Sequence, residues 1–233
     1  MTSESTNNVK LNADDMAKAG LNFGHTVSKL HPKMKAFVQG VKSNVHMIDM
    51  EKSAKEFDLA LKFISQLVAE GKTLLFVGTK IQAKNLTKVA AVESGMPYVT
   101  ERWLGGAFTN FETISKRVAH LKDLESKKAK GEFEKYTKYE QMMLNEEIAS
   151  LTTKFEGIKN MAKLPEAVLI LDLKKDIAVA REAKRKGIKI VGIVDTNIDP
   201  ALADYAIYAN DDAVSSIGYV LEKIKETILS AKP

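Results

Sequence analysis

Three short apolar runs constrain this chain more than any other feature: T-L-L-F-V at 73–77, A-V-L-I-L-D at 167–172 and I-K-I-V-G-I-V at 188–194. They lack the strict alternation of a half-exposed strand, so they suit strands buried on both faces, as in a parallel sheet covered by helices. Helical patterns surround them. Ala54, Phe57, Leu61, Ile64, Leu67 and Val68 fall at three- and four-residue spacing between Glu51 and Gly71. Further helices are expected over 81–93, stopped by Gly95, and over 176–186, closed by Gly187. Shorter strands are expected at 98–100 and 205–209, and a last helix, capped by Asp211, runs to about Ser230. Strands and helices in this alternation imply parallel pairing through right-handed crossovers.

Residues 111–158 break that rhythm. Leu144, Ile148, Leu151, Phe155 and Ile158 are spaced four, three, four, three, and Phe111, Ile114, Val118 and Leu121 three, four, three. Two such seams around the charged, Gly131-containing stretch S-K-K-A-K-G-E-F-E-K-Y predict an antiparallel helical hairpin with arms roughly 30 Å long. The block at 95–111, G-M-P-Y-V-T-E-R-W-L-G-G-A-F-T-N-F, holds the only Trp and hands the sheet over to this arm. Gly105 and Gly106 are expected to turn the chain there by positive φ or close backbone approach, with Trp103 and Phe108 wedged against the sheet.

Charge is unevenly spread. The net charge is +5, but residues 16–48 have no acid and hold Lys18, Lys29, Lys33, Lys35 and Lys42, whereas 190–221 have no base and hold Asp195, Asp199, Asp204, Asp211 and Asp212. Separate basic and acidic surfaces are expected. The segment 20–44, punctuated by Gly20, Gly24, Pro32 and Gly40, reads as an extended basic loop. Its lysines, interleaved with Phe23, Phe37 and imidazoles, suit phosphate neutralisation and base stacking. Residues 1–12, rich in Ser, Thr and Asn, read as a flexible tail, followed by a short helix at 13–19 with Asn12 as cap.

Catalytic signals are weak. With no Cys there is no thiolate metal site or Cys nucleophile, and the four His show no zinc spacing. F-V-G-T-K at 76–80 lacks the P-loop spacing and reads as a plain strand-to-helix turn. V-D-T-N-I-D-P at 194–200 reads as capping and turn chemistry with Pro200 at a first helical position. No metal, cofactor, small-molecule substrate or membrane span is expected, and a cytoplasmic location fits. The alternative is an α/β enzyme or regulator binding a nucleotide or sugar phosphate at the strand carboxyl ends.

Eight blocks in order, G-L-N-F-G-H, H-P-K-M-K, V-H-M-I-D-M-E-K, L-F-V-G-T-K, the 95–111 block, L-P-E-A, V-D-T-N-I-D-P and N-D-D-A, carry a resemblance over about 19–229. The chain strongly resembles the family of the second protein of the bacterial-type small ribosomal subunit. That resemblance implies an α/β, flavodoxin-like three-layer fold whose five-stranded parallel sheet is ordered 2-1-3-4-5, with an inserted coiled-coil hairpin. The core would be residues 13–110 and 160–233, and the arm 111–159. It further implies a non-catalytic role on the ribosome: contact with 16S-type rRNA between head and body, and recruitment of neighbouring ribosomal proteins, including the large one that captures mRNA. Lys29, Lys33 and Lys35 are the expected phosphate contacts, with Arg102, Asn110, Lys116 and Arg117 at the hairpin root.

Overall fold

The computed structural model describes residues 11–232. The expected flexible tail lies outside the described residues except for Leu11 and Asn12. Asn12 accepts the Asp14 backbone N–H and so caps α1 (Ala13–Lys18).

The segment expected to be an extended loop instead folds. β1 (Phe23–Thr26), β2 (Val38–Lys42) and β3 (Val45–Ile48) make an antiparallel sheet in the order β1-β3-β2, with 3-10 turns at Val27–Lys29 and Pro32–Phe37. Lys42 pairs with Val45 across a two-residue turn in which Ser43 and Asn44 both have positive φ, 50° and 64°. Such a turn matches the twist of a hairpin. Ser-Asn builds it here without the glycine that would have marked it in the sequence.

Asp49 accepts the N–H groups of Glu51 and Lys52 and starts α2 (Met50–Ala69). Then follow β4 (Leu74–Val77), α3 (Ile81–Glu93) and β5 (Tyr98–Val99). After the arm come β6 (Ala167–Ile170), α6 (Ile177–Lys186), β7 (Lys189–Val194), β8 (Tyr205–Tyr208) and α7 (Val214–Ala231), the arm itself being α4 (Phe111–Ala129) and α5 (Lys138–Phe155). The second sheet is five-stranded and parallel, in the order β5-β4-β6-β7-β8.

From β4 to β5 the chain steps one way along this sheet, and from β6 to β7 the other. Right-handed crossovers therefore put α3 and α6 on opposite faces. α7 packs on α2 and α3, and α6 on β6 and β7. Every residue of β4 and β6 is buried, as is all of β7 beyond Lys189, so continuous apolar runs were the right composition for these strands.

The arm buries Val118, Leu121 and Leu124 of α4 and Phe155 of α5. His120 Nε2 meets Glu147 Oε1 at 3.0 Å from one helix to the other. One expected cap is not a cap. α7 begins after Ala213, and the Asp211 carboxylate turns instead toward Lys80.

Candidate nucleic-acid interface

The basic segment runs through the antiparallel sheet and its 3-10 turns, with Lys29 and Lys35 on the turns and Lys42 at the end of β2. Lys29, Lys35 and Lys42 are exposed, and no carboxylate among the described residues lies within ion-pair distance of them. Lys33 differs, because its ammonium sits 2.7 Å from Asp199 Oδ2. The two aromatic candidates also part company. Phe23 is exposed on β1, while Phe37 stacks on Tyr208 at 3.8 Å between ring centroids, which commits it to the fold.

The basic and acidic blocks, expected to form separate surfaces, meet each other along a seam. Past the ends of β6, β7 and β8 lie Asp172, Asp195, Asp211 and Asp212, and three of these carboxylates surround Lys80. Its Nζ is 3.1 Å from Asp172, 2.9 Å from Asp211 and 2.7 Å from Asp212. Burial works against the charge on Lys80, and the carboxylates of Asp212 and Asp211 overcome it, so its pKa is raised. From the other side His25 reaches in from β1, with Nδ1 3.0 Å from Asp195 and Nε2 3.5 Å from Asp212. The backbone N–H groups of His25 and His31 donate to the hydroxyl and carbonyl of Thr196, at 2.9 and 2.8 Å.

The electrostatics of the seam are mixed. The hydrogen bond to Asp195 raises the pKa of His25 against its burial. Burial, together with the neighbouring Asp172 and Asp195 carboxylates, pushes Asp211 up to about 7 despite Lys80. Asp212 is held low, chiefly by its bond to Lys80.

Ligand atoms of His25, Asp195 and Asp211 lie within 4.8 Å of one another, a spacing that one cation can bridge. The Lys80 ammonium already supplies positive charge to Asp211. A phosphate at the end of β4 would face four carboxylates gathered at this edge, which repel it. Gly78 has its own structural cause. A Cβ there would lie 2.2 Å from Thr87 Oγ1, so glycine lets α3 pack close to the strand end. In V-D-T-N-I-D-P, Asp199 caps the 3-10 turn Pro200–Leu202 by accepting the Ala201 N–H and also holds Lys33.

At the hairpin root one side chain organises the corner. The Glu182 carboxylate of α6 accepts Trp103 Nε1 at 3.1 Å, the N–H groups of Gly106, Phe108 and Thr109 at 2.8, 3.0 and 3.2 Å, and Thr109 Oγ1 at 3.2 Å. Burial alone would raise its pKa. The Gly106 N–H, the indole and the other amides more than offset that, and the carboxyl is held below its ordinary value. Trp103 and Phe108 are buried edge to face with centroids 4.8 Å apart. Gly106 has φ +91°, where a side chain is strained, whereas Gly105 has open space around it and an ordinary φ.

Glu182 escaped the sequence reading, although a signal existed. It shares the inward face of α6 with Val179 and Ala183, three residues before it and one after, where an unpaired charge is out of place.

Arg102, Asn110 and Arg117 are exposed around this corner. Asn110 accepts the Thr113 hydroxyl at 2.9 Å, and Lys116 pairs with Glu112 at 2.7 Å. Two groups of candidate residues result, one on the N-terminal sheet and one at the root. No hydrogen bond or ion pair among the described residues links them.

The chain is thus a parallel α/β protein whose strand ends are closed by ion pairs around Lys80, with a small antiparallel sheet and a helical arm added to it. The family described as Ribosomal protein S2 matches residues 16–231, and the chain belongs to that family. It is 42% identical over 217 residues to small ribosomal subunit protein uS2 of Roseiflexus sp. (strain RS-1), covering 93% of this chain and 83% of that protein. The uS2 protein of Chloroflexus aurantiacus (strain ATCC 29366 / DSM 635 / J-10-fl) is 42% identical over 215 residues, 92% of this chain and 90% of that protein. That of Chloroherpeton thalassium (strain ATCC 35110 / GB-78) is 41% identical over 222 residues, 95% and 89%. The family read from the eight sequence blocks is therefore the right one.

Proposed function

We propose that this chain is a structural constituent of the small ribosomal subunit in the cytoplasm. It binds 16S-type rRNA between head and body and helps recruit neighbouring ribosomal proteins, among them the large one that captures mRNA. The observation that carries this reading is the exposure of Lys29, Lys35 and Lys42 on a chain of the ribosomal protein S2 family. Lysines without carboxylate partners release counterions when they meet phosphates, which yields affinity without base preference.

Arg102, Asn110 and Arg117 form a second contact group, while Lys33 and Lys116 contribute less because each already shares its charge with a carboxylate. The domain is flavodoxin-like, its core formed by residues 13–110 and 160–233. Residues 111–159 form a coiled-coil arm that spans toward other components of the particle.

The nucleotide-binding alternative is disfavoured by the carboxylates that close the strand ends around Lys80. The double variant Lys29→Glu/Lys35→Glu is expected to lose co-sedimentation with small subunits. Retention at the level of the unmodified chain would overturn the assignment. Calorimetric titration with nucleotides is expected to show no binding, and a micromolar site would favour the alternative.

A further inference from the structure

The far end of the arm carries chemistry that the root and the N-terminal sheet do not. Of the thirteen large apolar side chains exposed among the described residues, four lie within eight positions: Tyr136, Tyr139, Met142 and Met143. Single exposed apolar residues are ordinary, and a cluster is not. Tyr139 is the most open of the four at 68% exposure.

Charge gathers at the same place. Residues 127–138 hold five lysines against two glutamates. Lys127 is taken by Asp123 at 2.6 Å, whereas Lys128, Lys130 and Lys138 have no carboxylate within ion-pair distance among the described residues. Lys135 lies over the Tyr136 ring, 5.4 Å from its centroid, so that ring already has a cation on one face. Tyr139 has none.

The tip is also built rather than loose. Phe133 and Leu124 are buried there, outside the main core. Phe133 meets Tyr136 edge to face at 6.5 Å, and Gly131 turns the chain at φ +72°. Thr137 and Glu140 cap α5 reciprocally. A locked turn holds its side chains in place before any partner arrives, which lowers the entropy cost of binding.

We propose that the hairpin tip is a second RNA contact, in which Tyr139 stacks on an unpaired base and Lys128, Lys130 and Lys138 neutralise the flanking phosphates. The proposal rests on the rRNA-binding reading above and specifies its partner further. The partner is a loop or bulge rather than a continuous duplex, because only unstacked bases offer a face to a ring. RNA is favoured over protein as the occupant because the centres of protein interfaces are depleted in lysine, and here Lys128, Lys130, Lys135 and Lys138 crowd the stretch that leads into the ring.

The test is rebinding of the full chain to small subunits stripped of it by high salt. Tyr139→Ala is expected to weaken rebinding roughly 5- to 100-fold, with Tyr139→Phe restoring it, since stacking needs the ring and not the hydroxyl. Lys128→Ala/Lys130→Ala/Lys138→Ala should lower the slope of log affinity against log salt by about 2. Ultraviolet irradiation of the bound complex should link a peptide containing Tyr139 to rRNA.

Rebinding of Tyr139→Ala within about twofold of the unmodified chain overturns the proposal, and so does a cross-link to a neighbouring protein alone. Lys29→Glu/Lys35→Glu is measured in parallel. If only that variant fails, the tip proposal falls and the rRNA-binding function stands. If the unmodified chain rebinds without salt dependence, both fall.

Discussion

The N-terminal sheet and the hairpin root are both attached to the parallel domain through carboxylates, but by opposite designs. The sheet is joined through several charges of both signs: His25 against Asp195 and Asp212, Lys33 against Asp199, with Lys80 among Asp172, Asp211 and Asp212. The root is joined by one carboxylate, Glu182, which receives only neutral donors and sits beside the Trp103–Phe108 pair. Distributed ion pairs tolerate the loss of a member and respond to solution conditions. A single acceptor serving five donors has no such redundancy.

Removing that acceptor should therefore produce the largest effect. Glu182→Ala leaves an indole and three backbone N–H groups without their partner and is expected to cost about 3 to 5 kcal/mol in urea unfolding. Hydrogen exchange should localise the loss to residues 103–109. If the amides of Gly106 and Phe108 stay as protected as before, the single-anchor account is wrong. Lys80→Met should cost less, about 2 kcal/mol, because Asp211, already titrating near 7, takes up a proton where the ammonium was. A loss equal to that of Glu182→Ala would erase the contrast.

The two attachments should also respond to pH in opposite directions. Asp211 has a folded pKa of about 7 against an ordinary 3.8. Between those values the folded chain holds a proton that the unfolded chain releases, so stability falls as pH rises through that window. The raised pKa of His25 acts the same way: its contribution is full below 6.5 and is lost as pH climbs through the folded value. Glu182, whose pKa is lowered, contributes fully above 4.5 and loses that contribution as pH drops through its folded value. Asp212, also lowered, opposes the seam trend only in acid.

Hydrogen exchange between pH 5 and 8, corrected for intrinsic rates, should show β1 loosening on the alkaline side while the 103–109 amides hold. A uniform change across both regions would count against the distinction. The smallest effect belongs to Lys33→Ala, an exposed pair expected to change stability by no more than about 0.5 kcal/mol. A larger shift would make Asp199 a main fastening of the seam.

What could be read in advance follows the same division. The parallel strands were legible because burial on both faces forces apolar runs, and the helix over 81–93 was found at its observed bounds, Ile81–Glu93. The antiparallel sheet was not. Its strands are four or five residues long, β2 is largely exposed, and its hairpin turns on Ser43 and Asn44. Short exposed strands have no hydrophobic period to reveal them. Lys29 and Lys35 were legible as exposed cations, but that Asp211 would leave the helix end for Lys80 depends on two segments 131 residues apart meeting. No local pattern carries such a pairing.

The order of strands has a consequence in time. β4 lies between β5 and β6, and its partner Ala167 in β6 comes 93 residues after Leu74, beyond the whole arm. At synthesis rates of about 5 to 20 residues per second, β4 waits roughly 5 to 20 s for that neighbour to be made. During the wait its apolar face is shielded only by the helices already made and by the two-residue β5. The arm that gives the finished molecule its reach thus also sets how long β4 stands without its inner neighbour while the chain is being made.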